Sequence, residues 1–174
     1  AWPWCWASTA ATCPCRSCRH THPAIDAALE LRHNIVTGTI ERVEGETYAA
    51  ALEVCDRPSP RNDYEAKFSL QHCVAAALTR ETVDFTAFAE PTRVELAELR
   101  DRVTVRVAEP YASAYPLAWG SAVTVTVRGG EQVTVRRTHA KGDPEAAMSP
   151  VELIAKARML MTYGGVREPD RLID

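Results

Sequence analysis

The stretch S-A-V-T-V-T-V-R-G-G-E-Q-V-T-V-R-R-T, from Ser121 to Thr138, constrains the fold more than any other part of this chain. Val123, Val125 and Val127 alternate with polar partners, as do Val133 and Val135 beyond Gly129-Gly130, which is the two-residue period of a half-buried strand. The two glycines supply the positive φ that a two-residue type I′ turn requires, so the segment reads as an antiparallel hairpin. Val103, Val105 and Val107 alternate with Thr104 and Arg106 in the same way and predict another strand. Ile40 to Tyr48 is a weaker strand, because its apolar positions do not alternate cleanly.

Helical signals surround these strands. Asn62 to Leu78 carries Leu70, Cys73, Val74, Ala77 and Leu78 at helical spacing, with Phe68 and Tyr64 earlier on the same stripe. Asn62 and Glu65 form a capping-box start, so one helix is predicted over the whole stretch. Thr21, with Pro23 in the first turn, opens a helix through Ile25, Ala28 and Leu29 to about His33. Ala49 to Val54 reads as a short helical turn, and Arg57 to Asn62, with Pro58 and Pro60, as a loop. Thr92 with Glu95 predicts a second capping box and a helix toward Leu99. Ser149, Pro150 and Glu152 combine cap, first-turn proline and capping acid ahead of Val151, Ile154, Ala157 and Met161, and Gly164-Gly165 ends that helix. The order predicts an α+β fold: a small antiparallel sheet of about four strands with helices on one face.

Composition excludes some functions. The net charge is −3 and no basic patch suits nucleic acid. No apolar run approaches the roughly 20 residues needed to span a bilayer and the start does not read as a signal peptide, so a cytoplasmic location follows by default. The first sixteen residues differ from the rest: they hold three of the four Trp and three of the six Cys and show no period.

Two polar groupings could carry chemistry. Lys67, Ser69, Gln71 and His72 lie on the polar side of the predicted Asn62–Leu78 helix near its start, where free amides and the dipole favour an anion such as a carboxylate. The alternative is a solvated face. R-H-T-H, Arg19 to His22, places two imidazoles and a guanidinium at a helix start, which suits proton transfer and binding of a polycarboxylate. Its alternative is a pair of surface histidines. Cys13, Cys15, Cys18, His20 and His22 could also hold zinc, but they lack the paired knuckle spacing of a strong zinc motif, and no metal is assigned. A disulfide in this stretch is the other option, disfavoured in a reducing compartment, and Cys55 and Cys73 read as core thiols.

Taken together, S-C-R-H-T-H-P-A-I-D-A-A-L-E-L-R (Ser17 to Arg32), C-D-R-P-S-P (Cys55 to Pro60) and E-A-K-F-S-L-Q-H-C-V-A-A-A-L (Glu65 to Leu78) resemble the C-terminal part of the MmgE/PrpD family. G-D-P at Gly142 to Pro144, followed by a capped helix, is similar too. That family includes 2-methylcitrate dehydratase, cis-aconitate decarboxylase and iminodisuccinate epimerase. The resemblance implies a cofactor-free lyase or isomerase acting on small di- and tricarboxylates, usually a homodimer, with a large helical domain and a smaller α+β lid. Residues 17–146 would then be the lid, and residues 147–174 would belong to the helical domain, whose N-terminal part this chain is expected to lack, so that activity is expected to need that missing half.

The family's histidine-bearing segment maps to His20 and His22, with His22 the slightly better match, and the expected role is acid or base. Arg19, Lys67 and Ser69 would bind substrate carboxylates, the last two through the E-A-K-F-S match. Family members commonly carry a lysine and a Tyr-Pro or Phe-Pro step at about Cys13 to Arg16, where this chain has C-P-C-R. That departure suggests a misread start over residues 1–16. The tyrosine that some decarboxylases use would fall at about Val54, which makes decarboxylation the less favoured reaction. The competing expectations are a catalytically inactive lid that at most pairs with other chains and, less favoured, a Cys/His metal-binding module. The apolar side of Val151 to Met161 invites association.

Overall fold

A computed structural model describes residues 17–173. Four strands form one sheet in the order β2-β1-β3-β4, with β1 at Ile40–Thr47, β2 at Val103–Val107, β3 at Ser121–Val127 and β4 at Gln132–Arg137. The helices are α1 (His22–Leu31), α2 (Ala49–Cys55), α3 (Asp63–Ala66), α4 (Leu70–Thr79), α5 (Glu90–Glu95), α6 (Ala97–Asp101), α7 (Tyr111–Ala114) and α8 (Pro150–Tyr163). Among the described residues no helix is long and apolar enough to cross a membrane.

The α+β class and the strand number are as the sequence predicts, but the sheet is mixed rather than antiparallel. β1 pairs antiparallel with β3 and parallel with β2, in a register that puts Val43 beside both Val103 and Val125. The long connection from β1 to β2, carrying α2 to α6, is the helical crossover a parallel pair requires. Local alternation gives a strand its faces but not its neighbour's direction. The hairpin is present with Val123 opposite Val135 and Val125 opposite Val133. Its turn is longer than predicted: the Val127 amide donates to the Glu131 carbonyl, so three residues, Arg128 to Gly130, make the connection. Gly129 and Gly130 have φ of 100° and 84°, the left-handed region that excludes most side chains.

α1 and α4 pack against each other and over one face of the sheet. Ile25, Ala28 and Leu31 of α1 meet Leu70, Cys73, Val74 and Leu78 of α4 and the valines of the strands in one buried core. Each fully buried Leu or Ile there contributes roughly 1.5–3 kcal/mol of transfer free energy. A smaller cluster of Tyr48, Ala51, Tyr111 and Ala122 forms on the far side of β1 and β3.

The Asn62–Leu78 stretch is two helices. Asn62 caps α3, its side chain accepting from the Glu65 amide at 2.8 Å, while the Glu65 carboxylate turns outward to the Arg61 amide instead of closing a box. The chain then leaves helical geometry at Ser69 (φ −106°, ψ 108°), and Ser69 caps α4 by accepting from the His72 amide at 3.0 Å. A serine hydroxyl competes well for backbone donors, which is why it starts a helix better than it continues one. The break overturns the solvated-face reading: Ser69, Gln71 and His72 are all buried.

Two other predicted caps differ. Thr21 donates its hydroxyl to the Cys18 carbonyl rather than capping α1, and Thr92 lies inside α5, buried, donating to the Thr86 carbonyl at 2.9 Å. The box at Ser149 and Glu152 is present in full. α8 buries no residue and exposes Val151, Leu153, Ile154, Leu160 and Tyr163. Its ties to the body include a stack of Tyr163 on Phe85 at 3.7 Å between centroids and the Lys141–Glu152 ion pair.

Candidate functional site

The three stretches of the sequence that carry the resemblance meet in space. The Cys18 amide donates to the Lys67 carbonyl at 2.9 Å, the Ser69 hydroxyl donates to the Arg57 carbonyl at 2.6 Å, and the Gln71 amide donates to the Asp56 carboxylate at 2.6 Å. Residues far apart in the chain are thereby fixed around the short 3₁₀ turn Arg19–Thr21 that leads into α1.

That turn presents Arg19 and His20 to an aromatic group. The His20 ring stacks on Trp119, with centroids 4.7 Å apart and planes 9° from parallel. Its Nδ1 is 2.8 Å from the Tyr48 hydroxyl. Tyr48, buried at the junction of β1 and α2, in turn stacks on Tyr115 at 4.4 Å. The Arg19 guanidinium lies over Trp119, 5.1 Å from the ring centroid, and pairs with the Asp143 carboxylate. Asp143 is held in place by accepting from the Ala140 amide at 3.0 Å, and Asp26 of α1 accepts from the Lys141 amide at 2.7 Å. The G-D-P motif thus ties the approach to α8 to α1 and to Arg19, with Gly142 at φ 95° making the bend.

The electrostatics keep these groups in defined states. Burial, and then the neighbouring Arg19 charge, lower the pKa of His20, so the imidazole is neutral near pH 7. Burial raises the pKa of Tyr48 strongly, so its phenol keeps its proton and can hold the His20 ring. When the phenol donates to Nδ1, Nε2 carries the ring proton; when Nδ1 donates, Nε2 is a free base.

The two histidines of R-H-T-H separate. His22 is buried at the start of α1, and burial followed by Arg19 pushes its pKa down to about 3. Its ring nitrogens lie near the Ser17 backbone but make no well-formed hydrogen bond among the described residues. Only His20 joins the aromatic group. Lys67 ends α3, half-buried, and its backbone carbonyl rather than its ammonium makes the recorded link to Cys18. Ser69 is wholly buried and both of its hydroxyl bonds go to backbone, so it holds the site's frame. Ser69→Ala is expected to cost about 2 kcal/mol in urea unfolding, from a lost cap and an unpaired carbonyl. A change below about 0.5 kcal/mol would remove that role.

No local sequence pattern marks Tyr48, Tyr115, Trp119 or Asp143 as a site residue. Tyr48 reads as the end of a weak strand, and a single Trp or Tyr in a loop carries no local signal. Cys13, Cys15 and the unusual segment 1–16 lie outside the described residues. Among the described residues no group of three His, Cys, Asp or Glu is placed to hold a metal ion.

No curated protein matches this chain. A family profile described as the MmgE/PrpD C-terminal domain matches residues 16–173, nearly the whole chain. With that match over a fold of the expected class, the chain belongs to the MmgE/PrpD family, of which it carries the C-terminal domain.

Proposed function

We propose that this chain is the C-terminal portion of a cofactor-free lyase or isomerase that acts on small di- or tricarboxylates by removing a proton next to a carboxylate. The observation that carries the reading is the Arg19–His20 turn: a neutral imidazole, oriented by Tyr48 and Trp119, stands beside a guanidinium. A neutral imidazole can accept a proton from carbon. Arg19, exchanging its Asp143 partner for a substrate carboxylate, would offset the charge that develops as the enolate-like transition state forms. Lys67, one hydrogen bond away through the backbone, would supply a second cation. Loss of water or return of the proton to the opposite face completes a dehydration or an epimerisation. In this reading residues 17–146 act as the lid, α8 packs through its exposed apolar residues onto the helical half of a cytoplasmic homodimer, and neither nucleic acid nor membrane is a partner.

The test is solvent deuterium incorporation, followed by proton NMR, into citrate, methylcitrate, malate and aspartate-derived dicarboxylates incubated with the chain joined to the helical half of an MmgE/PrpD protein. Exchange at a carbon next to a carboxylate is the expected result. His20→Ala should slow it about a hundredfold, while Arg19→Gln and Lys67→Ala should each weaken substrate binding about tenfold. Exchange in none of these acids, with no shift of the His20 ring resonances, would favour the inactive-lid reading. That reading draws its support from the Asp143 carboxylate already sitting on Arg19.

A further inference from the structure

The loop into β1, the end of α4 and the junction of α5 with α6 enclose a cavity of about 450 Å³ that plays no part in the site above. Gly38 and Arg128 line it at the start of β1 and the end of β3, whereas Tyr48 and Trp119 stand at the other ends of the same strands. The eight residues of β1 put roughly 26 Å between the two places. The volume falls within the range of small-molecule sites, about 300–1,000 Å³.

Buried Leu96 and half-buried Leu99 give the cavity its apolar lining. Two cations stand toward the start of β1. Arg102 donates to the Ile40 carbonyl and pairs with Glu98, which leaves it further N–H groups for a ligand. The Arg128 amide donates to the Thr39 carbonyl at 2.7 Å, and its exposed guanidinium enters no ion pair among the described residues. Acceptors stand toward the end of α4. Thr79 donates its hydroxyl to the Ala75 and Ala76 carbonyls at 3.0 and 3.1 Å, and Thr37 donates to the Leu78 carbonyl at 3.3 Å, so each hydroxyl oxygen is left only to accept. The Glu95 carboxylate takes a bond from Arg80 at 3.1 Å but is 66% exposed, and the last carbonyls of α4 add the negative end of its dipole. A carboxylate therefore suits the side of Arg102 and Arg128, an ammonium suits the side of Glu95 and Thr79, and an apolar group fits against the leucines. A wholly anionic ligand would meet Glu95 and Glu98, and a wholly cationic one Arg102 and Arg128.

We propose that this cavity binds a small zwitterion with an apolar body, of the class of a free α-amino acid with an apolar side chain. Binding here does not depend on the reaction proposed for the turn that carries Arg19 and His20. Gly38 supplies a means of blocking it: a Cβ there would meet nothing within 4 Å, so a large side chain can enter the cavity without displacing the backbone.

The experiment titrates the full, isotope-labelled chain with L-leucine and follows its amide resonances by NMR. Saturable shifts centred on Gly38, Thr79, Leu99 and Arg128, with a dissociation constant of about 1 mM or tighter, are the expected result. Isocaproate, which lacks the ammonium, and isoamylamine, which lacks the carboxylate, should each bind about tenfold more weakly. Gly38→Trp should abolish the shifts and leave Tm unchanged, and Arg128→Gln should weaken binding about tenfold. Shifts that do not saturate, or that centre on His20 and Trp119, would overturn the proposal. So would equal binding of isocaproate, or undiminished binding in Gly38→Trp. Should Gly38→Trp fail to fold, Arg128→Gln, which changes an exposed side chain, and the two leucine analogues carry the same test.

Discussion

Gly120→Ala is expected to destabilise the domain by about 3 kcal/mol, because the added methyl has nowhere to go. A Cβ at Gly120 would stand 2.7 Å from Cδ1 of Tyr111 and 2.8 Å from the Arg137 carbonyl oxygen. Neither neighbour can retreat cheaply. Tyr111 is 5% exposed and belongs to the small cluster on the far side of β1 and β3, while Arg137 is paired with Ser121 at the end of the hairpin ladder. The Gly120 carbonyl also accepts from the buried Thr47 hydroxyl at 3.1 Å, so a backbone shift would break a buried bond as well. In a chain of this size about 3 kcal/mol corresponds to a fall in Tm of roughly 6–12 °C. Gly120 follows Trp119 directly, so the shift should also loosen the His20–Trp119 stack. A Tm within roughly 2 °C of wild type would show that the ring or the hairpin yields more easily than this packing implies.

The parts of the fold that were legible in the sequence are those with a local cause. The valine alternation of β3 and β4, the apolar stripe from Leu70 to Leu78 and the Ser149–Glu152 box each depend on residues within a few positions of one another. The direction of β2 beside β1 depends on a connection of more than fifty residues, and no pattern within Val103–Val107 encodes it. The break at Ser69 is hidden in the sequence for a different reason. The apolar spacing runs through it almost unbroken, and the decisive interaction is a hydroxyl bond to the Arg57 carbonyl, twelve residues away. At the candidate site, Arg19 and His20 were visible because adjacent charged and imidazole groups before a helix are unusual. Their partners Tyr48, Trp119 and Asp143 come from three separate connections, which only the sheet order brings together.

His72 should make the domain lose stability on mild acidification. Its Nε2–H donates to the Ala87 carbonyl at 2.8 Å, which leaves Nδ1 buried as an unpaired acceptor. A proton on Nδ1 would place a buried charge without an acceptor, and Arg100, Arg93 and Arg80 add positive potential. Burial first, with those arginines behind it, outweighs the Ala87 bond and holds the pKa down to about 4. In the unfolded chain the ring takes its proton near pH 6.5. The unfolded state therefore binds the proton first as pH falls. Stability is intact above about pH 6.5, declines between there and about pH 4, and changes no further on this group's account below that. The gap of about 2.5 units corresponds to roughly 3 kcal/mol. His22, with its pKa held near 3, loses stability over the same range and a unit further. Urea unfolding at intervals from about pH 7 to pH 4 should show this decline, and His72→Gln, which keeps an N–H donor but cannot titrate, should make it shallower by about half. An unchanged midpoint across that range, or an unchanged slope in His72→Gln, would mean that the core around Ala87 and Phe88 opens to water at little cost and admits the proton without unfolding.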